Sequence, residues 1–140
     1  MSKIEHVSLG RDLVQALGDK ETWSDAVSFG GLIWTTGQIG WDKSTAKLVD
    51  GLEAQVELAL ENLVKVLHEA GSSLENVLLT RIYITEHDHY YVFDEIYKRY
   101  FVTNPPARVT VVVKELIDHA LFDIEVVAVK DDLAAPQDQE

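Results

Sequence analysis

Hydrophobic residues occur at two different spacings along the chain, and one of them predicts strands. Residues 26 to 36 read AVSFGGLIWTT, in which two β-rich pieces flank a Gly-Gly dipeptide suited to a tight hairpin turn. Residues 77 to 85 are rich in β-branched and aromatic side chains and predict a central strand. Two more strands are predicted over residues 107 to 115 and 121 to 130, joined by a short turn and therefore antiparallel.

Two other segments have the three- and four-residue spacing of amphipathic helices. The first helix is predicted to begin at a capping box formed by Asp50 and Glu53 and to end before Gly71. The second is predicted to be capped by Asp88. It carries a mostly aromatic stripe, which favours a place in the core over contact with a ligand: Tyr90, Phe93, Ile96, Tyr97 and Tyr100.

The order of these elements is ββαβαββ, which favours an α+β fold. Hairpins at both ends of the domain indicate a mixed or antiparallel sheet with both helices on one face. Residues 1 to 22 are interpreted as an N-terminal arm with one short strand, residues 23 to 130 as a single domain, and residues 131 to 140 as a polar tail.

Composition narrows the classes of function. The 24 acidic and 12 basic residues give a net charge of -12, which disfavours nucleic acid and anionic membrane surfaces as partners. The chain has no cysteine, which excludes a thiolate nucleophile and fits the cytoplasm. No apolar run approaches the roughly 18 residues of a membrane span, and no signal peptide is evident.

Arg108 is the charge that most needs explaining, because it stands after two prolines at the head of a valine-rich strand. It shares a strand face with Thr110. Antiparallel pairing with the last strand would place Glu125 near both residues, whereas a register shifted by one residue would turn Glu125 to the opposite face. The pair Arg108 and Glu125 has two interpretations. It is a structural ion pair, the commoner case, or a site in which Arg108 holds a carboxylate and Glu125 positions or deprotonates water.

Other candidate sites are weaker. His87 and His89 have no obvious third metal ligand, so a polar helix start is favoured and no metal is expected. Gly37 and Gln38 belong to a short turn whose simplest role is to end a strand, although its backbone N–H groups are also suited to an oxyanion.

Taken together, several segments resemble the RidA/YjgF/UK114 family of reactive-intermediate deaminases over about residues 23 to 130. These are GLIWTTGQIG (31 to 40), NLVKVLHEAGSSLENVLLTRIYIT (62 to 85), YKRYF (97 to 101), PPARVTV (105 to 111) and IEVVAV (124 to 129). The resemblance implies a chorismate-mutase-like homotrimer with sites between subunits. It also implies hydrolysis of enamines or imines of the 2-aminoacrylate type to 2-oxo acids and ammonia, without a cofactor.

The resemblance also implies roles for single residues. Arg108 matches the family's carboxylate-binding arginine and Glu125 the acid that orients or activates water, while Gly37 and Gln38 match the turn that lines the pocket. Three further residues in the site depart from the family pattern: Trp23 stands in place of a tyrosine, Thr110 in place of Cys or Ser, and Asp94 in place of Asn. An acid in place of an amide would repel an anionic substrate.

Three alternatives stay open. One is a deaminase for a larger substrate such as 2-aminomuconate, which Trp23 and Asp94 would permit. Another is a trimeric module that binds small carboxylate metabolites without catalysis. The third is RNA cleavage or inhibition of translation, against which the acidic composition argues.

Overall fold

A mixed six-stranded β-sheet carries two long helices on one face in the computed structural model, which describes residues 3–9 and 22–134. The strands of this sheet are β1 (Glu5–Val7), β2 (Ala26–Phe29), β3 (Leu32–Thr35), β6 (Val77–Ile84), β7 (Ala107–Val112) and β8 (Phe122–Val129). A separate hairpin is formed by β4 (Trp41–Asp42) and β5 (Lys47–Leu48). The helices are α1 (Leu52–Glu69), α2 (His89–Tyr100) and the short α3 (Asp131–Ala134), with 3-10 turns at Leu74–Asn76 and Ile117–His119.

The strand order is β1-β2-β3-β8-β6-β7, and within the described sheet β6 and β7 are the one parallel pair. The predicted α+β fold with a mixed sheet is confirmed. The hairpin between β2 and β3 is also confirmed, with Gly30 at φ 60° and Gly31 at φ 88° as its two turn residues. A two-residue turn with positive φ at both positions matches the twist of the strands that it joins.

Both long helices have the predicted apolar stripes, but their N-termini differ from the prediction. The N-cap of α1 is Gly51 and no side chain caps it, so the capping box of Asp50 and Glu53 is wrong. Asp88 does occupy the N-cap position of α2. Its backbone is helical, at φ -68° and ψ -16°, rather than extended as a capping residue usually is, and its side chain makes no cap hydrogen bond.

The predicted hairpin of the last two long strands is wrong, because β6 lies between β7 and β8. The connection from residue 113 to 121 contains a 3-10 turn and two consecutive residues with positive φ, Asp118 at 60° and His119 at 59°. It carries the chain across β6 instead of folding it back on β7. Strand β7 therefore adds to β6 through α2 as a parallel crossover.

The sheet has one face against the helices and one facing away from them. On the helix side, Ile82, Ile84, Ile124 and Val126 are buried with the stripe of α1 and with Phe93, Ile96 and Tyr97 of α2. The opposite side, here called the outer face, presents exposed apolar side chains from two strands, Leu32 and Trp34 of β3 and Val109 and Val111 of β7, with the half-buried Val127 of β8 between them. The fold thus leaves one apolar surface of the sheet uncovered within the single chain.

The chain ends fall partly outside the described residues. Strand β1 is the short strand expected in the arm, and residues 1–2, 10–21 and 135–140 lie outside the described part. The beginning of the predicted polar tail forms α3, whose Leu133 packs against the hairpin turn at Gly31. A β-carbon on Gly31 would lie 1.9 Å from Cδ1 of Leu133, so a larger residue there would push this exposed side chain aside.

Candidate functional site

Arg108 lies near the start of β7 and turns its side chain toward α2. Its Nη1 donates to Oδ1 of Asp94 at 2.8 Å, and its Nη2 donates to the hydroxyl of Tyr90 at 2.5 Å. The side chain keeps 22% of its surface exposed. Burial alone would lower the pKa of Arg108, but the hydrogen bond that it donates to Asp94 and the charge interactions with Tyr90, Asp94 and Tyr97 together outweigh burial. The pKa is therefore raised and the guanidinium stays charged.

Aromatic rings of α2 surround the same guanidinium. Its central carbon lies 4.8 Å from the ring centroid of Tyr97, 5.2 Å from that of Tyr90 and 5.4 Å from that of Phe93. Cations held over ring faces at such distances are stabilised electrostatically. The aromatic stripe thus has two roles, since it fills the core and holds Arg108 in one orientation.

Glu125 does not approach Arg108, so the predicted contact between the two is wrong within the protomer. Thr80 of β6 has both Arg108 and Val126 as its Cα partners, which places those two side chains on the helix side. Glu125, adjacent to Val126, therefore points to the outer face. The reason is the inserted β6, which makes β7 and β8 second neighbours instead of a hairpin.

Glu125 belongs instead to a group of four polar residues in the middle of the apolar outer face, here called the outer-face cluster. It consists of Arg81 and Tyr83 on β6 and of Asp123 and Glu125 on β8. Oε2 of Glu125 lies 3.1 Å from Nη1 of Arg81, and Oε1 accepts a 3.0 Å hydrogen bond from the hydroxyl of Tyr83. Burial and that bond raise the pKa of Tyr83, so the phenol stays a hydrogen-bond donor.

Asp123 is the titratable residue with the most unusual environment in this cluster. Burial, and then the charge of Glu125, raise the pKa of its carboxyl to about 6. Its Oδ1 is buried and has no hydrogen-bond partner among the described residues. A carboxyl that titrates near neutrality and has a free oxygen is suited to both giving and taking a proton.

The turn at Gly37 covers that carboxyl. A β-carbon at Gly37 would lie 2.4 Å from Oδ1 of Asp123, so any other residue would displace the acid. Gln38 fixes the turn, because its backbone N–H donates to the carbonyl of Ile124 at 2.7 Å and its carbonyl accepts from the N–H of Ile124 at 3.0 Å. Asp123 is a site residue that the sequence pattern does not single out, although alternation in β8 puts it on the same face as the predicted Glu125.

A cavity of about 610 Å³ opens beside the Gly37 turn. Trp23, Gly37 and Gln38, three of the predicted binding residues, line it together with Trp41 and Asn62. The amide nitrogen of Asn62 donates to the carbonyls of Ile39 and Trp41, each at 3.1 Å, and so holds one wall of the cavity.

The other predicted residues lie at a separate place on the protomer. A shallow groove of about 290 Å³ is lined by Arg108 and Asp94 together with Tyr97 and the prolines Pro105 and Pro106. Thr110 follows on the same face of β7, half-buried beside Ile82. The structure thus brings Arg108 and Asp94 together, with Thr110 two residues along the same face of β7, and separately Trp23, Gly37 and Gln38. Glu125 lies on the outer face beside Asp123, the residue that Gly37 covers.

The histidines flagged in the sequence lie at the start of α2. Nε2 of His89 is 3.3 Å from Oε2 of Glu86, while His87 is exposed beside Asp88. Within residues 3–9 and 22–134 no three metal-ligating side chains are grouped. None of the helices described there is long and apolar enough to cross a membrane.

The chain is similar in sequence to several known proteins. The model of the family described as Endoribonuclease L-PSP matches residues 14–130. A RutC family protein of Aquifex aeolicus is 44% identical over 110 residues, covering 77% of this chain and 88% of that protein. The human protein named 2-iminobutanoate/2-iminopropanoate deaminase is 35% identical over 109 residues, covering 77% and 80% of the two chains.

A solved structure gives the same result for the fold. RidA from an Antarctic Psychrobacter bacterium superposes with a TM-score of 0.76 at 30% identity, over 78% of this chain and 89% of that chain. The matched family model spans far more than half of the sequence. The chain therefore belongs to the Endoribonuclease L-PSP family, which is the RidA/YjgF family.

Proposed function

We propose that the protein hydrolyses 2-imino acids, and the enamines that tautomerise to them, into 2-oxo acids and ammonia without a cofactor. Small substrates of the 2-aminoacrylate type are the first class to test. The observation that carries the proposal is the partly buried carboxyl of Asp123, which has a pKa of about 6 and one buried oxygen without a partner among the described residues, beside the Gly37 turn. The imine deaminase named among the relatives supports the same reaction class.

In this proposal Asp123 moves the protons. As a carboxylate it takes a proton from water while the water oxygen attacks the imine carbon, and the C=N bond becomes a C–N single bond. The resulting carboxylic acid gives that proton to the nitrogen, which completes a carbinolamine. Asp123 then takes the proton of the new hydroxyl and passes it to the amino group as the C–N bond breaks, so ammonia leaves and the C=O bond forms. A group whose pKa lies near the working pH serves both steps.

Arg108 binds the carboxylate of the substrate, because its planar guanidinium suits a contact through two N–H groups and the surrounding rings hold it in one orientation. Thr110 and Asp94 would flank that carboxylate. Trp23, Gly37 and Gln38 would enclose the side chain of the substrate. Glu125 would not contact the substrate directly, because it lies beside Asp123 within the outer-face cluster.

Arg108 and Asp123 lie on opposite sides of the sheet, so one protomer does not present both to a small substrate. We propose that two subunits of a cytoplasmic homotrimer share each site, with Arg108 from one and Asp123 from the next. The exposed apolar outer face supports assembly, because it is the kind of surface that subunit contacts cover. The lack of cysteine fits the reducing cytoplasm.

Despite the family's printed description, RNA is not the substrate that we propose. The net charge of -12 repels a phosphate backbone, whereas a single small anion needs only one local cation.

The test measures release of 2-oxo acid from imino acids generated in situ by an amino-acid oxidase. We expect the purified protein to accelerate release, and Arg108→Ala and Asp123→Asn each to lower kcat/KM about a hundredfold, the order of one lost charged contact or proton carrier. Arg99→Ala is the matched control, since Arg99 is an exposed arginine of α2 with a 3.7 Å contact to Glu57 and a 3.5 Å hydrogen bond to the carbonyl of Glu95. Equal rates for the parent protein and Arg108→Ala would reject the proposal, and tight binding of a 2-oxo acid without turnover would favour the non-catalytic binder.

A further inference from the structure

Glu125 has an arrangement that suits holding a charge in place better than transferring protons. Both of its oxygens are engaged, one by Arg81 at 3.1 Å and the other by Tyr83 at 3.0 Å. Asp123, two residues earlier on the same face of β8, keeps a buried oxygen without a partner. The two carboxyls of the outer-face cluster therefore differ in what they are free to do.

Few charged groups face Asp123 from the elements packed around it. From β8 the charged group is Glu125, and from β6 it is Arg81, which lies opposite Glu125; Tyr83, the direct Cα partner of Asp123 on β6, is a neutral phenol. The turn after β3 contributes Gly37 and Gln38, which are uncharged, and β7 contributes Val109 and Val111 to the same face. Among the described residues of these elements, Glu125 is the one like charge, and the nearby cation is already paired with it.

We propose that Glu125 is a positioning residue for the proton-transferring acid: fixed by Arg81 and Tyr83, its negative charge keeps a proton on Asp123 at a pH where an exposed aspartate has lost it. The inference rests on the proposed function and names the role of a second carboxyl in that site. Like charges on neighbouring carboxyls disfavour ionisation of the one that has no cation. Since Arg81 pairs with Glu125 and Tyr83 donates to it, Asp123 is the carboxyl of the two that has no cation.

The experiment follows the ¹³C resonance of the Asp123 carboxyl during a pH titration of the assembled protein labelled at aspartate, with Asp123→Asn used for assignment. In Glu125→Gln the midpoint should fall by about one pH unit, the order expected from a like charge at this range. In Arg81→Met, where Glu125 loses its counter-ion, the midpoint should rise instead. Tyr83→Phe, which removes a hydrogen bond but no charge, should move it less than either.

The pH profile of kcat/KM gives the second reading, because its acid-side midpoint should follow the titration in each variant. A purely structural role for Glu125 would lower the rate without moving either midpoint. An unmoved Asp123 midpoint in a folded Glu125→Gln protein would overturn the inference. Midpoints that move as expected in a protein without deaminase activity would uphold the effect of Glu125 on Asp123 but reject the proposed function and with it the catalytic purpose of that effect, since the titration needs no turnover.

Discussion

Arg108 and Asp94 form an ion pair of 2.8 Å between β7 and α2, so the cation proposed to bind the substrate already has a counter-ion. The pair is partly shielded from water, since 22% and 33% of the two side chains are exposed. An incoming carboxylate must therefore compete with a fixed negative charge.

Asp94→Asn should strengthen binding of anionic substrates, because the amide oxygen can still accept from Arg108 without carrying charge. We expect KM to fall by about tenfold, and inhibition by a 2-oxo acid to strengthen equally, for a gain of about 1.4 kcal/mol. Steady-state kinetics will measure both.

The matched control is Glu95→Gln, which changes the net charge equally but involves an exposed residue paired with Lys98. If both variants lower KM alike, the effect comes from overall charge and the role assigned to Asp94 is wrong.

Gly37→Ala should displace Asp123, because the new methyl would lie 2.4 Å from its Oδ1. We expect a loss of about 1–3 kcal/mol of stability together with most of the activity. In an Asp123→Ala background the same change should cost at least about 1 kcal/mol less, since the clashing atoms are gone. Urea unfolding of the four proteins in this cycle measures the coupling, and simple additivity would contradict the contact.

The stability of the protein should depend on Asp123 in a defined pH window. Its pKa is about 6 in the folded protein and 3.8 in an unperturbed chain, so between these values the folded state binds more protons than the unfolded one. The stabilisation is complete below pH 3.8 and is lost as the pH rises through 6, a change of about 3 kcal/mol at most.

Asp123→Asn, which resembles the protonated acid, should therefore raise Tm by several degrees at pH 8 and have little effect at pH 4. Differential scanning fluorimetry at the two pH values measures this. A Tm gain that is the same at both would show that the ionisation of Asp123 is not its source.

Trp34→Glu should disrupt the proposed homotrimer, because Trp34 is 43% exposed in the apolar outer face and a buried carboxylate is costly at a subunit contact. Light scattering after size exclusion should show protomers or dimers. Tyr91→Glu is the control, since Tyr91 is 63% exposed on α2 and away from that face. An unchanged trimer in Trp34→Glu would place the contact elsewhere.

The helices and the first hairpin were predictable because their signals are local. The apolar spacing of α1 depends on residues three or four positions apart, and the hairpin turn depends on the adjacent Gly30 and Gly31. The pairing of β7 was missed because the strand–helix–strand order of β6, α2 and β7, which favours a parallel crossover, was outweighed by the proximity of β7 and β8 in sequence.

The candidate site was predictable only in part for a similar reason. Arg108 is conspicuous, since it is a lone charge at the head of an apolar strand. Asp123 looks like its neighbour Glu125 in sequence, and what distinguishes it is burial under Gly37, a contact between segments far apart in the chain. Such a contact leaves no periodic signal.

The central place of β8 also affects how the protein is made. Strands β1 to β3 and strands β6 and β7 form two hydrogen-bonded sets that β8, the last strand in sequence, joins. During synthesis the two sets can form early, but they have no shared ladder until the C-terminal strand leaves the ribosome. The edges of β3 and β6 stay unpaired until then, so truncation before residue 122 should give aggregation rather than a smaller folded protein.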